Sequence, residues 1–131
     1  MSDLKQMRAK TGTLSILIVD DEEKIQEAIV LFMEKFFGNT QSACNGEEAL
    51  ELFRQNKYDV LLTDISMPKM SGWELIDAVK KSDQEIFIAA MTGSPDEKEN
   101  LIGMCDIYLN KPITIERLAL MLEKIIEIKA L

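Results

Sequence analysis

Five short strand-like runs, each stopping at a polar or charged residue, constrain the fold of this chain more than any other feature. Leu14–Val19 (LSILIV) stops at Asp20-Asp21, and the weaker Thr40–Cys44 stops at Asn45-Gly46. Val60–Thr63 stops at Asp64, Ile86–Met91 at Thr92, and Ile107–Leu109 before Asn110-Lys111-Pro112. Short, nearly unbroken apolar runs belong to strands buried on both faces, since a sheet wetted on one side shows alternation instead.

Helical signals fill the gaps between these runs. Ile25, Ala28, Ile29, Phe32 and Phe36 recur at helical spacing, and Gly38 can end that helix in a left-handed conformation. Ala49, Leu50 and Phe53 mark a second helix, and a third runs from about Trp73 to Lys81. Ser94 reads as the N-cap of a fourth, with Pro95 at its first position and Asp96 and Glu97 in its first turn. The last spans Thr114 to about Ala130, with Ile115, Leu118, Leu122, Ile125 and Lys129 along one stripe. Five strands alternating with five helices predict an α/β fold: one parallel sheet covered on both faces. Residues 1–13 are polar and aperiodic and read as a flexible tail, which leaves 14–131 as a single domain.

In such sheets ligands bind beyond the carboxyl ends of the strands. The residues there are Asp20 and Asp21, Asp64, Thr92 and Lys111. Each alone has a plainer explanation: a helix-capping pair, a turn aspartate ahead of Pro68, a strand-end hydroxyl, a solvated lysine. Their joint placement favours chemistry. Carboxylates about 4 Å apart repel by roughly 4 kcal/mol at an effective dielectric of 20, so a cluster of three needs compensation. A hard cation that takes oxygen ligands and shares them with phosphate suits it, and Mg²⁺ is the natural candidate. Lys111 adds a fixed positive charge, Thr92 a hydroxyl, and one carboxylate could serve as an in-line nucleophile toward phosphorus.

Composition excludes other chemistries. The chain has no His and only two Cys, Cys44 and Cys105, which rules out an ordinary zinc site. Its formal net charge is −8, and residues 1–13 carry three positive charges against one negative, so the remainder is about −10. A body that acidic is repelled by nucleic-acid phosphates, and basic protein surfaces suit it better. No signal-peptide core and no apolar run near eighteen residues is found, which predicts a cytosolic protein with reduced thiols and no membrane association.

The segments ILIVDDEE, NGEEALELF, YDVLLTDISMPKMSGWELI, IAAMTGS and YLNKPI, in this order and spacing, resemble the receiver domains of two-component response regulators. The likeness runs from about Leu14 onward and implies a flavodoxin-like fold with strand order 2-1-3-4-5. It implies that Asp64 takes a phosphoryl group from a sensor histidine kinase or phosphotransfer protein. Asp21, Asp64 and the backbone carbonyl of Ser66 would ligate Mg²⁺ (Mn²⁺ substituting), with Asp20 reaching it through water. Lys111 would contact the phosphoryl group, the Lys111–Pro112 bond would be cis, and Thr92 and Tyr108 would form a switch. Ser66 and Ser94 sit where variation tunes loss of phosphate, although both also read as ordinary loop or cap serines. Catalysis would be limited to the domain's own phosphorylation and dephosphorylation. Output would pass by protein contact to a downstream partner, through the fourth helix, fifth strand and fifth helix. Met104, Cys105 and Ile107 depart from the commonest family pattern there.

Two other readings remain at this point. A metal-dependent phosphatase with an aspartyl-phosphate intermediate would ordinarily carry Asp-x-Asp at one strand end, whereas Asp64 is followed by Ile65-Ser66. A non-phosphorylated interaction module would have lost an acidic residue or the lysine, and all are present. No DNA-binding or enzymatic segment follows the last helix, so the expectation is a stand-alone or excised receiver.

Overall fold

A computed structural model describes residues 4–93 and 103–131. Its helices and strands, in chain order, are α1 (Leu4–Thr11), β1 (Ser15–Val19), α2 (Glu23–Met33), β2 (Asn39–Ala43), α3 (Gly46–Gln55), β3 (Val60–Asp64), α4 (Gly72–Ser82), β4 (Phe87–Thr92), β5 (Ile107–Asn110) and α5 (Ile115–Ile128). The five strands form one sheet of order β2-β1-β3-β4-β5, and every neighbouring pair is parallel. The expected fold class and strand order are both met. Ser94, with the helix start read after it, lies outside the described residues.

The unbroken apolar character of β1, β3 and β4 follows from burial on both sides. Ile16, Ile18, Val60, Leu62, Phe87 and Ala89 pack with Ile29 and Met33 of α2 and Leu118, Met121, Leu122 and Ile125 of α5. The alternate residues Leu17, Val19, Leu61, Ile88 and Ala90 face Ala49 of α3 and Leu75, Ile76 and Val79 of α4. Period-two alternation therefore distributes each strand between two cores. β2 (NTQSA) is only partly buried, as an edge strand permits.

Local chemistry places the helix starts. Asn45 accepts from the Glu48 amide at 2.8 Å at the head of α3, and Thr114 from the Arg117 amide at 3.2 Å at the head of α5. Ser71 and Glu74 form a reciprocal capping box on α4. Gly72 is required by close approach: a Cβ there would stand 2.3 Å from the Asp64 carbonyl oxygen.

Three expectations need correction. The flexible tail is a helix over Leu4–Thr11, with Met7 and Thr11 buried. Thr11 explains the anchoring, since its hydroxyl donates to the carbonyls of Phe36 at 2.7 Å and Met7 at 3.0 Å, while Met7 enters the core beside α5. On α2 the inward residues are Gln26, Ile29 and Met33, and Ala28 is exposed. On α5, Ile115 is 62% exposed, and Met121 joins Leu118, Leu122 and Ile125 on the buried side. Cys44 and Cys105 are free thiols beside opposite edge strands. No helix among the described residues is long and apolar enough to cross a membrane.

Candidate metal and phosphoryl centre

Register alone gathers the site. Val19 lies beside Thr63 and Asp64 beside Met91, so the residues that end β1, β3 and β4 meet at one edge of the sheet. Thr92 pairs with Asn110, and the Lys111 amide donates to the Thr92 carbonyl at 2.9 Å, which brings the lysine to the same edge. Asp20, Asp21 and Asp64 each present a carboxylate oxygen to a cluster whose atoms all lie within 4.8 Å of one another. The Lys111 Nζ donates to Asp64 Oδ2 at 3.0 Å and stands 3.9 Å from Asp20 Oδ2. The side chains of Asp20, Asp21, Asp64 and Lys111 are thus near neighbours, the Thr92 backbone reaches the same end of the sheet, and the Lys111–Pro112 bond is cis.

The acidic groups are held before any ligand arrives. Asp20 Oδ1 accepts from the Glu22 amide at 2.9 Å, and Asp64 Oδ1 from the Ser66 amide at 3.2 Å. Asp20 and Asp64 are buried, Asp21 is exposed, and Thr92 is buried at the end of β4. Tyr108 is half-buried on β5 and packs against the α3–α4 core, where burial raises its phenol above the ordinary range. Ser66 is exposed beside Asp64.

The electrostatics ask for a cation. Burial pushes the Asp20 carboxyl up to about 6, with Asp64 and Asp21 adding repulsion against the lowering effects of the Glu22 amide and Lys111. Asp64 is also raised, chiefly by burial, although Lys111 and the Ser66 amide oppose the shift. Burial alone would lower the Lys111 ammonium, but its hydrogen bond to Asp64 and the charges of Asp64 and Asp20 hold it above its ordinary value. Asp20 Oδ2 is buried and has no hydrogen-bond partner. One ammonium beside three carboxylates leaves negative charge unbalanced, and the exposed Asp21 leaves the cluster open to solvent. An oxygen-only, partly solvated donor set of this kind fits Mg²⁺.

Gln26 belongs to this neighbourhood and escaped the sequence reading. Its Nε2 donates to the carbonyls of Ala43 at 2.7 Å and Asp20 at 3.3 Å. The available signal was an amide three and seven residues before Ile29 and Met33 on the inward line of a helix.

Residues 16–123 match the response regulator receiver domain family. The chain is 33% identical over 106 residues to the autoinducer 1 sensor kinase/phosphatase LuxN of Vibrio campbellii, covering 79% of this chain and 12% of that one. It is 32% identical over 108 residues to the polar-differentiation response regulator DivK of Brucella anthropi, covering 79% and 88%. Among solved structures it superposes with a TM-score of 0.77 on the Thermotoga maritima response regulator TrrA bound to Mg²⁺ and BeF, at 30% identity over 86% of this chain and 99% of that one. The chain spans 41 to 50% of the length of two probable transcriptional regulators and a probable C4-dicarboxylate response regulator that it also resembles. With its strand order and its acidic cluster alike, this chain belongs to the response regulator receiver domain family.

Proposed function

We propose that residues 14–131 form the phospho-accepting module of a two-component relay, with Asp64 as acceptor of a phosphoryl group from a phosphohistidine on a sensor kinase or phosphotransfer protein. The observation that carries this reading is the Lys111 ammonium 3.0 Å from Asp64 Oδ2, beside three carboxylates with oxygens within 4.8 Å. A carboxylate oxygen of Asp64 bonds to phosphorus as the bond from phosphorus to the donor nitrogen breaks, and the imidazole leaves with that electron pair. Hydrolysis reverses the state: water attacks phosphorus, inorganic phosphate departs, and the carboxylate is restored. Asp21, Asp64 and the Ser66 carbonyl would hold Mg²⁺, with Asp20 acting through water; Mn²⁺ would substitute. Bound there, the ion would neutralise charge on the transferring group.

The protein's own residues supply the rest. Lys111 exchanges its bond to the Asp64 carboxylate for phosphoryl oxygens, a charge-assisted contact that persists in the product. Thr92 gains a phosphoryl acceptor, and its motion would change the burial of Tyr108, which lies on the neighbouring strand. A tenfold shift between two packings needs only about 1.4 kcal/mol of differential interaction, within reach of two such bonds. An apolar recess lined by Ile25, Ala28, Pro112 and Ile113 opens beside Lys111 and suits an approaching donor protein. Ser66 and Ser94 would tune phosphate loss, and the downstream partner would bind the segment after Ser94, β5 and α5. A cytosolic location fits this role.

Intact mass spectrometry after incubation with Mg²⁺ and acetyl phosphate tests the reading. One added phosphoryl group on the parent, and none on Asp64→Asn or with chelator, is expected. An unmodified parent would reject it, and steady turnover of a phosphomonoester would favour a phosphatase.

A further inference from the structure

We propose that Gln26 is a positioning residue for the acidic turn, its buried amide tying the Asp20 backbone to the end of β2, a role that presupposes the magnesium-dependent chemistry proposed above. Gln26 is 7% exposed and stands in line with Ile29 and Met33 on the inward side of α2. A side-chain amide at such a place costs stability unless its N–H groups find acceptors. Both acceptors it finds lie at the site end of the sheet: the Ala43 carbonyl at 2.7 Å and the Asp20 carbonyl at 3.3 Å.

The consequence is a closed clamp around one residue. The Asp20 amide donates to the same Ala43 carbonyl at 3.3 Å, so Gln26 and Asp20 share an acceptor. With Oδ1 bound to the Glu22 amide, the backbone and one carboxylate oxygen of Asp20 are all engaged. Only Oδ2, without a hydrogen-bond partner, remains for the acidic cluster. The Gln26 amide also lies 3.8 Å from Cys44 Sγ, which links the turn after β2 to the same clamp. A strain or relaxation at the carboxylates is therefore passed to Cys44 through one side chain.

Cys44 supplies a readout independent of phosphorylation. It is exposed, whereas burial pushes the Cys105 thiol up to about 12, so an alkylating agent near neutral pH reads Cys44. The experiment compares the parent, Gln26→Met and Gln26→Glu by calorimetric titration with Mg²⁺ and by iodoacetamide labelling with and without the ion. Loss of the clamp is expected to weaken Mg²⁺ binding about tenfold, the low end of what removing a supporting group around a metal site costs, because Asp20 acts on the ion through water. Mg²⁺ should change the Cys44 labelling rate in the parent and leave it unchanged in Gln26→Met. Gln26→Glu, titrated at alkaline pH so that the new carboxyl is ionised, separates positioning from charge: an added negative charge alone would tighten cation binding, whereas a carboxylate, which cannot donate to the two carbonyls, weakens it. Parent-like or tighter binding by either folded variant overturns the proposal, as does a parent labelling rate indifferent to Mg²⁺. A parent that binds no Mg²⁺ overturns the acceptor reading too, so the two failures are distinguishable.

Discussion

Replacing Asp20 by Asn should stabilise the metal-free protein and cost it its response to Mg²⁺. The carboxyl is buried among like charges, and its pKa of about 6 lies roughly two units above the ordinary 3.8. A group raised in the folded state binds its proton more tightly there than in the unfolded chain, so the parent loses stability as pH rises from about 4 through 6. Two units correspond to at most about 3 kcal/mol above pH 6. Asparagine keeps an oxygen for the Glu22 amide, but it gives up the weak attraction to Lys111 at 3.9 Å. A net gain of about 1–3 kcal/mol near pH 8 is expected, shrinking to roughly a third by pH 4.5 as the parent carboxyl takes up its proton. Urea unfolding in chelator across that pH range measures it. Mg²⁺ at ten times its dissociation constant should add about 1.4 kcal/mol to the parent and much less to the variant. A variant less stable than the parent near pH 8, or a gain that does not vary with pH, would refute the electrostatic reasoning.

Other substitutions probe other parts of the account. Gly72→Ala forces a Cβ to within 2.3 Å of the Asp64 carbonyl and 2.7 Å of the Ile65 Cα, both backbone atoms, so it should cost about 2–3 kcal/mol in thermal or urea unfolding. Thr11→Val removes the hydroxyl bonds to Phe36 and Met7 and should cost about 1–2 kcal/mol, with faster hydrogen exchange confined to α1. Ser66→Met places a bulky side chain beside the acceptor and should lengthen the phosphorylated half-life by hindering the hydrolytic water. An unchanged half-life, followed by decay of the mass shift, would reject that role.

The parts legible in the sequence are those that depend on local pattern. Runs such as ILIV and VLL declare strands buried on both faces, and strand ends in a parallel sheet meet at one edge, so Asp20, Asp21, Asp64, Thr92 and Lys111 group from the sequence alone. What escaped depends on distant partners. α1 is held by Thr11 reaching Phe36, twenty-five residues away, and nothing in LKQMRAKT announces that contact. Gln26 looks like a surface residue of α2 until the carbonyls of Ala43 and Asp20 are seen above it. The misplacing of Ile115 on α5 has the same origin, because Ile115 and Met121 are both apolar and only packing chooses between them.

Asp64, and no neighbouring carboxylate, is the expected acceptor of the phosphoryl group. Borohydride reduction of the Mg²⁺- and acetyl-phosphate-treated protein, followed by peptide sequencing, tests it most directly, since an acyl phosphate is reduced to an alcohol and marks its own position. Homoserine at position 64 alone is expected; homoserine at 20 or 21, or none at all, would overturn the assignment of Asp64.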